Sequence, residues 1–366
     1  MSDEQMLRDR LIQVTVPDSH VDIMQVLPVA RRRVARQRIA VAVGAAALTI
    51  AAVAAVPVFL PAHKTATGIA PAAPPQQKKA ATPCVPAKLA SPNKAAKDLV
   101  PEEIDPTGRY IVGNYSEGQD FRPVLWTDGK PKALPLVADS VQVTDVNSHG
   151  VAVGLADMKH SRAGEVVRWA NGQWTTLRLP AGEWNPYPEP RINDRGDIII
   201  NVEPATSLEG KGAFALLWPA GATQPVRLKL PKRAEARDIA EDGRIVGSID
   251  NDDAWIWQQN GKGERFTKPT GKSVVASVTR GDWVAGGLWP DQTVEVWNRK
   301  TGERTSMGPG DGPAAAVNSS GWVVTLTWVL YRDGQPVDLD GGRASDVSDT
   351  NVVIGLQQEQ PVTWRC

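Results

Sequence analysis

Two patterns of apolar and polar positions divide the chain. From Ile39 to Pro61 the sequence IAVAVGAAALTIAAVAAVPVFLP carries no charge, whereas beyond about residue 100 short apolar runs are separated by Asp, Asn and Gly. About twenty uncharged residues rising about 1.5 Å each as a helix cross the roughly 30 Å of a hydrocarbon core, so 39–61 is predicted to be a transmembrane helix. Short runs of alternating polarity predict strands instead, because successive side chains of a strand point to opposite faces.

The short runs repeat. Each copy has a β-run ending in Asp/Asn-x-x-Gly, a short apolar strand often ending in Gly, a variable loop, a strand ending in Trp, a second Gly turn and a final strand. The first copy spans Ile104 to Gly113 and then reaches Trp126; the second, VTDVNSHGVAVG, spans Val143 to Gly154 and reaches Trp169. The third and fourth carry Gly196 with Trp218, and Gly243 and Gly247 with Trp257. The fifth carries Gly281, Gly286 and Trp297, the sixth Gly321 followed by TWVLYRDG, and the seventh Gly355 and Trp364. Turn glycines fall about 38 to 47 residues apart until the shorter final copies. Four strands at that period make a β-propeller blade. The chain is therefore predicted to be all-β, a seven-bladed β-propeller with six or eight blades as alternatives. Asp or Asn bonds the turn backbone, Gly supplies positive φ, and Trp fills the space between blades.

The seventh copy stops at Trp364, Arg365 and Cys366, before any outermost strand. Upstream of the first copy, CVPAKLASPNKAAKDLVPEEIDPTG matches the spacing of the segment that precedes the second turn, so Val85 to Leu89 is expected to supply that strand. This places Cys84, one of only two cysteines, beside Cys366. A disulfide between them would lock the ring, with free or intermolecular thiols as the alternative.

The flanks set a topology. Arg31, Arg32, Arg33, Arg36 and Arg38 precede the apolar run, which predicts a cytoplasmic N-terminus and an extracellular propeller at the cell membrane. A cleaved signal peptide is the competing reading, but such apolar regions are shorter and nearer the start of the chain. A twin-arginine signal fits weakly, since no bulky apolar residue follows the arginines at the usual place. The domains are then a tail at 1–38, the helix at 39–61, a Pro/Ala-rich linker at 62–83 and the propeller at 84–366. In the tail, Met6, Leu7, Leu11 and Ile12 share a helical face, and Ser19 caps a second short amphipathic piece. The tail is either a disordered or membrane-skimming segment or a helix pair that binds a cytoplasmic regulator such as a sigma factor, without the ligands of a zinc-containing anti-sigma domain.

Charge changes the picture little. The tail holds seven arginines and five acids, leaving 34 of 41 basic and 36 of 41 acidic residues beyond it, which gives no electrostatic reason to bind nucleic acid.

The copies resemble the extracellular repeat family named for its His-Ala-Phe (HAF) tripeptide, with a consensus like D-I-N-x-x-G-x-x-V-G followed by A-F-L-W. Thr144 to Gly154 and Ala213 to Trp218 carry the likeness best; no copy keeps the histidine, and the last three turns depart from the pattern. The resemblance, which covers roughly residues 100 to 366, implies an exported WD40-like propeller and transfers no catalytic residue. The overall plan also looks like that of actinobacterial surface proteins.

Candidate chemistry is sparse. His20, His63, His149 and His160 form no Ser/His/Asp set, and no metal-ligand spacing is present, so neither metal nor cofactor is expected. Asp145 with Asn147, or Asp250 with Asp252 and Asp253, are read as turn capping and a solvated acidic loop rather than calcium sites. PAGEWNPYPEP (Pro180 to Pro190) reads as a proline-stiffened loop outside the repeat, and Trp184 and Tyr187 on it are the candidate ligand-binding residues for a carbohydrate or peptide. Two functions follow. One is a binding or sensing module for an envelope component or protein partner; the other is a hydrolase or lyase, which inward-facing Asp and Glu at the channel mouth would favour.

Overall fold

The computed structural model describes residues 83–93, 96–157, 164–207 and 210–366. The predicted tail and transmembrane helix, most of the linker and His160 lie outside the described residues, among which no helix is long and apolar enough to cross a membrane.

The alternating runs form 28 strands in seven four-stranded antiparallel sheets, the blades of a seven-bladed β-propeller. The innermost strands, in order, are Lys97–Ile104, Ser140–Val146, Trp184–Ile192, Ala234–Ile239, Ser273–Arg280, Ala314–Val317 and Arg343–Val347. Six blades use four consecutive strands. The seventh borrows its outermost strand from the start of the domain: Val85–Lys88 pairs with Gln360–Arg365, Val85 opposite Arg365 and Lys88 opposite Val362. The Cys84–Cys366 disulfide seals this closure, as the spacing predicts.

Each blade interface has its own core, and a large aromatic residue sits in each. Trp126, Trp169, Trp218, Trp257, Trp297 and Trp364 occupy the same place on the third strands, and Tyr331 takes it in blade 6. Each packs against the preceding blade, as Trp218 does with Val153, Leu155, Val166 and Leu177. All six tryptophans are buried, as a wedge between splayed sheets requires.

The repeat glycines do two jobs. Those of the turns, such as Gly150 (φ 71°) and Gly196 (φ 87°), adopt the expected positive φ. The glycine of V-x-V-G does not end its strand: Gly154 lies inside Ala152–Asp157, facing a β-bulge between Val143 and Asp145. The bulge brings the inner backbone so close that a Cβ on Gly154 would stand 2.1 Å from the Gln142 carbonyl oxygen, and one on Gly247 would stand 1.8 Å from that of Glu235.

Candidate functional site

The D-x-N-x-x-G signature is a stapling device between blades. Asp145 Oδ1 accepts the Val146 N–H (2.7 Å) and Oδ2 accepts the Ile192 N–H of blade 3 (2.8 Å). Asp238 does the same for Ile239 and for Thr279 of blade 5, and Asp346 for Val347 and for Ile104 of blade 1. One turn further, Asn147 Oδ1 closes its own turn while Nδ2 donates to the Asn193 carbonyl (3.1 Å); Asn193 and Asn318 repeat this on Ala240 and Ser348. Asp145 and Asn147 are thus committed to backbone, in line with the turn-capping reading.

These staples converge on the channel axis. Glu103, Asp145, Asp238, Glu241 and Asp346 meet Arg191 and Arg280 around a cavity of about 40 Å³. Arg191 bonds Glu103 from across the channel, and Arg280 Nη1 bonds Glu241 Oε1 (2.7 Å), whose Oε2 accepts the Asp194 N–H (2.8 Å). Burial pushes the Asp145 carboxyl up to about 8, opposed by Arg191 and reinforced by Glu103. Burial also raises Asp238 and Glu241 and lifts Asp346 well above the usual carboxylate range, with Glu103 adding to the last. Two guanidiniums against five carboxylates leave the cluster short of positive charge, so protons are retained there. The inward-facing acids that sequence reasoning asked about therefore exist.

The acidic loop of blade 4 folds around a lysine. Lys268 Nζ lies 2.8 Å from both Asp252 Oδ2 and Asp253 Oδ1, so an ammonium group occupies the place a cation would take.

PAGEWNPYPEP is largely not a loop. Its residues from Trp184 on form the innermost strand of blade 3, which pairs with Ile198–Pro204 and carries an enlarged bulge between Tyr187 and Arg191. Three prolines obscured it, because a proline cannot donate to the ladder; the bulge takes up two of them, Pro188 and Pro190. Trp184 and Tyr187 do not form one surface. Trp184 packs edge-on against Phe214 (centroids 4.9 Å), with its indole N–H on the Ala181 carbonyl (3.2 Å). Tyr187 instead lines a groove of about 1030 Å³ between blades 3 and 4. Its hydroxyl is buried and, among the described residues, has no hydrogen-bond partner. Burial, with Glu235 and Glu203 nearby, raises its pKa above the ordinary phenol value, so it stays a donor.

The groove is walled by Lys211, Arg227, Lys229, Lys232 and Arg233, over Phe214, Leu228 and Leu230. Sequence reasoning missed these cations because they come from separate segments, the approach to the third strand of blade 3 and the crossing into blade 4. Strand direction fixes where the groove sits. Inner strands run toward the D-x-N-x-x-G turns, and third strands run parallel to them, so Cys366 and Cys84 lie on the turn face. The groove lies where inner strands begin, on the opposite face.

No family model matches the chain, and no curated protein matches its sequence. Solved structures do. A streptogramin B lyase is similar over 77% of this chain and 97% of its own, at 12% identity and a TM-score of 0.52. The fold is shared; the sequence is not. The WD40 β-propeller domain of Doa1 matches over 77% and 96% at 11% identity and a TM-score of 0.49. The acylaminoacyl peptidase of Pyrococcus horikoshii matches over 74% of this chain and 52% of its own at 10% identity and a TM-score of 0.47. At such identities only the propeller architecture carries over.

Proposed function

We propose that this chain is a membrane-anchored extracytoplasmic binding module of HAF-repeat type. Residues 39–61 hold it at the cell membrane as a single-pass protein, the linker spaces the propeller from it, and the tail passes occupancy to a cytoplasmic regulator. The observation that carries the binding reading is the groove between blades 3 and 4. It has the size of a drug-scale ligand site and, among the described residues, a buried phenol hydroxyl and lysines without partners, and it lies on the face opposite Cys84. The test is cosedimentation of the protein with insoluble cell-envelope material. Lys232→Trp, at an exposed position of the groove wall, should reduce sedimentation several-fold at an unchanged melting temperature. Equal sedimentation of the two rejects the groove.

The enzyme reading, a hydrolase or lyase, has the channel carboxylates in its favour. Against it, both oxygens of Asp145, Asp238, Asp346 and Glu241 already accept hydrogen bonds, and Glu103 holds Arg191, which leaves no free base for an incoming substrate.

A further inference from the structure

The charges of the groove are unbalanced in one direction. Arg233 is tied to Asp250 and Glu235 to Arg237, while Glu203, beside Tyr187, accepts the Gly210 N–H and is one acid against three lysines. Arg227 lies over the Phe214 ring, its guanidinium carbon 4.0 Å from the centroid. Lys211, Lys229 and Lys232 are exposed and, among the described residues, have no carboxylate partner, whereas Lys268 and Lys272 nearby are paired with acids. Three ammonium groups around one groove favour a ligand with several negative charges. Lysine places a compact charge on a flexible stem, which suits charges spaced along a polymer better than one planar group.

The floor narrows the class. The outermost strand of blade 3, Val226–Arg227, is only two residues long, so its free edge offers an extended peptide little ladder to join. What the floor offers is the Tyr187 hydroxyl, a donor without an acceptor among the described residues, beside the apolar surfaces of Leu228 and Leu230. A sugar chain brings hydroxyl and ring oxygens for the first and C–H faces for the second.

Resting on the groove reading above, we infer that the groove between blades 3 and 4 binds an anionic glycan. Its carboxylate or phosphate groups lie among Lys211, Lys229 and Lys232, and one of its oxygens accepts from Tyr187.

The test uses the full chain in detergent against four immobilised polymers: polygalacturonate, phosphomannan, neutral dextran and polyglutamate. Binding is expected to polygalacturonate or phosphomannan, the stronger of the two identifying the charged group, and not to dextran. Affinity should fall as salt rises, and Lys229→Ala with Lys232→Ala should weaken it by about tenfold, since surface charges contribute modestly each. Tyr187→Phe should weaken it a few-fold while leaving the salt dependence unchanged. Polyglutamate binding as tightly, with the same dependence on the lysines, overturns the glycan and leaves the groove standing. So does dextran binding as tightly if Lys232→Trp abolishes it. Polygalacturonate or phosphomannan binding indifferent to the lysine pair overturns the inference, and when Lys232→Trp is equally silent in the sedimentation assay the groove reading falls with it.

Discussion

Replacing Cys84 and Cys366 with serine should open the ring at blade 7. The bridge spans 282 residues, for which the chain-entropy model gives about 5 to 6 kcal/mol, with engineered cases usually delivering less. Besides its ladder with Gln360–Arg365, whose bonds add about 1 kcal/mol each, little else holds the strand. Val85, Pro86, Ala87 and Lys88 are all exposed, and only Leu89 is buried, contributing roughly 1.5 to 3 kcal/mol. Its N–H reaches the Pro361 carbonyl (2.9 Å), and the Trp126 indole bonds the Ala90 carbonyl (2.7 Å), each adding about 1 kcal/mol. Ordering the residues from 85 to 90 costs about 1 to 2 kcal/mol apiece, so without the bridge the strand is near or below balance. Urea unfolding in detergent, followed by tryptophan fluorescence, should show a loss of about 3 to 5 kcal/mol in the double-serine protein. Amide exchange at 85–88 should become fast and spread to Gln360–Arg365 before the other blades yield. A loss below about 1 kcal/mol, with 85–88 still protected, would refute the closure reasoning.

Three further outcomes follow from the same structure. Trp218→Ala empties the wedge between blades 2 and 3 and should cost about 3 to 5 kcal/mol in chemical unfolding. Gly154→Ala drives a Cβ into the Gln142 carbonyl and should destabilise by about 1 to 3 kcal/mol although no bond is removed, which calorimetry can check. The Asp145 carboxyl titrates at about 8 in the folded protein against an ordinary 3.8, so the folded state binds its proton more tightly. Its stabilising share is complete below about pH 4 and is lost as pH rises through about 8, with a slope of up to about 1.4 kcal/mol per pH unit. Asp145→Asn should flatten that dependence in unfolding measured from pH 4 to 9, and an unchanged slope would place the excess proton elsewhere in the channel.

What was legible in the sequence is what the backbone repeats locally. Turn glycines need positive φ, third strands need a large apolar residue, and alternation marks strands, so blade number, blade order and the pairing of Cys84 with Cys366 could be read from spacing alone. The innermost strand of blade 3 escaped because Pro186, Pro188 and Pro190 hide the alternation, and only its pairing with Ile198–Pro204 reveals it. The inter-blade purpose of Asp145 and Asn147 also escaped, since half of each staple is a backbone group 47 or 46 residues away. Tertiary structure alone decided the sites. The channel cluster draws one or two residues from each of several blades, and the groove lysines come from two separate segments, one inside blade 3 and one crossing from it into blade 4. Electrostatic and ligand chemistry depends on distances through space, and a repeat pattern encodes contacts along the chain and between neighbouring strands. The sequence therefore determined the ring, and the closing of the ring determined which charges face one another.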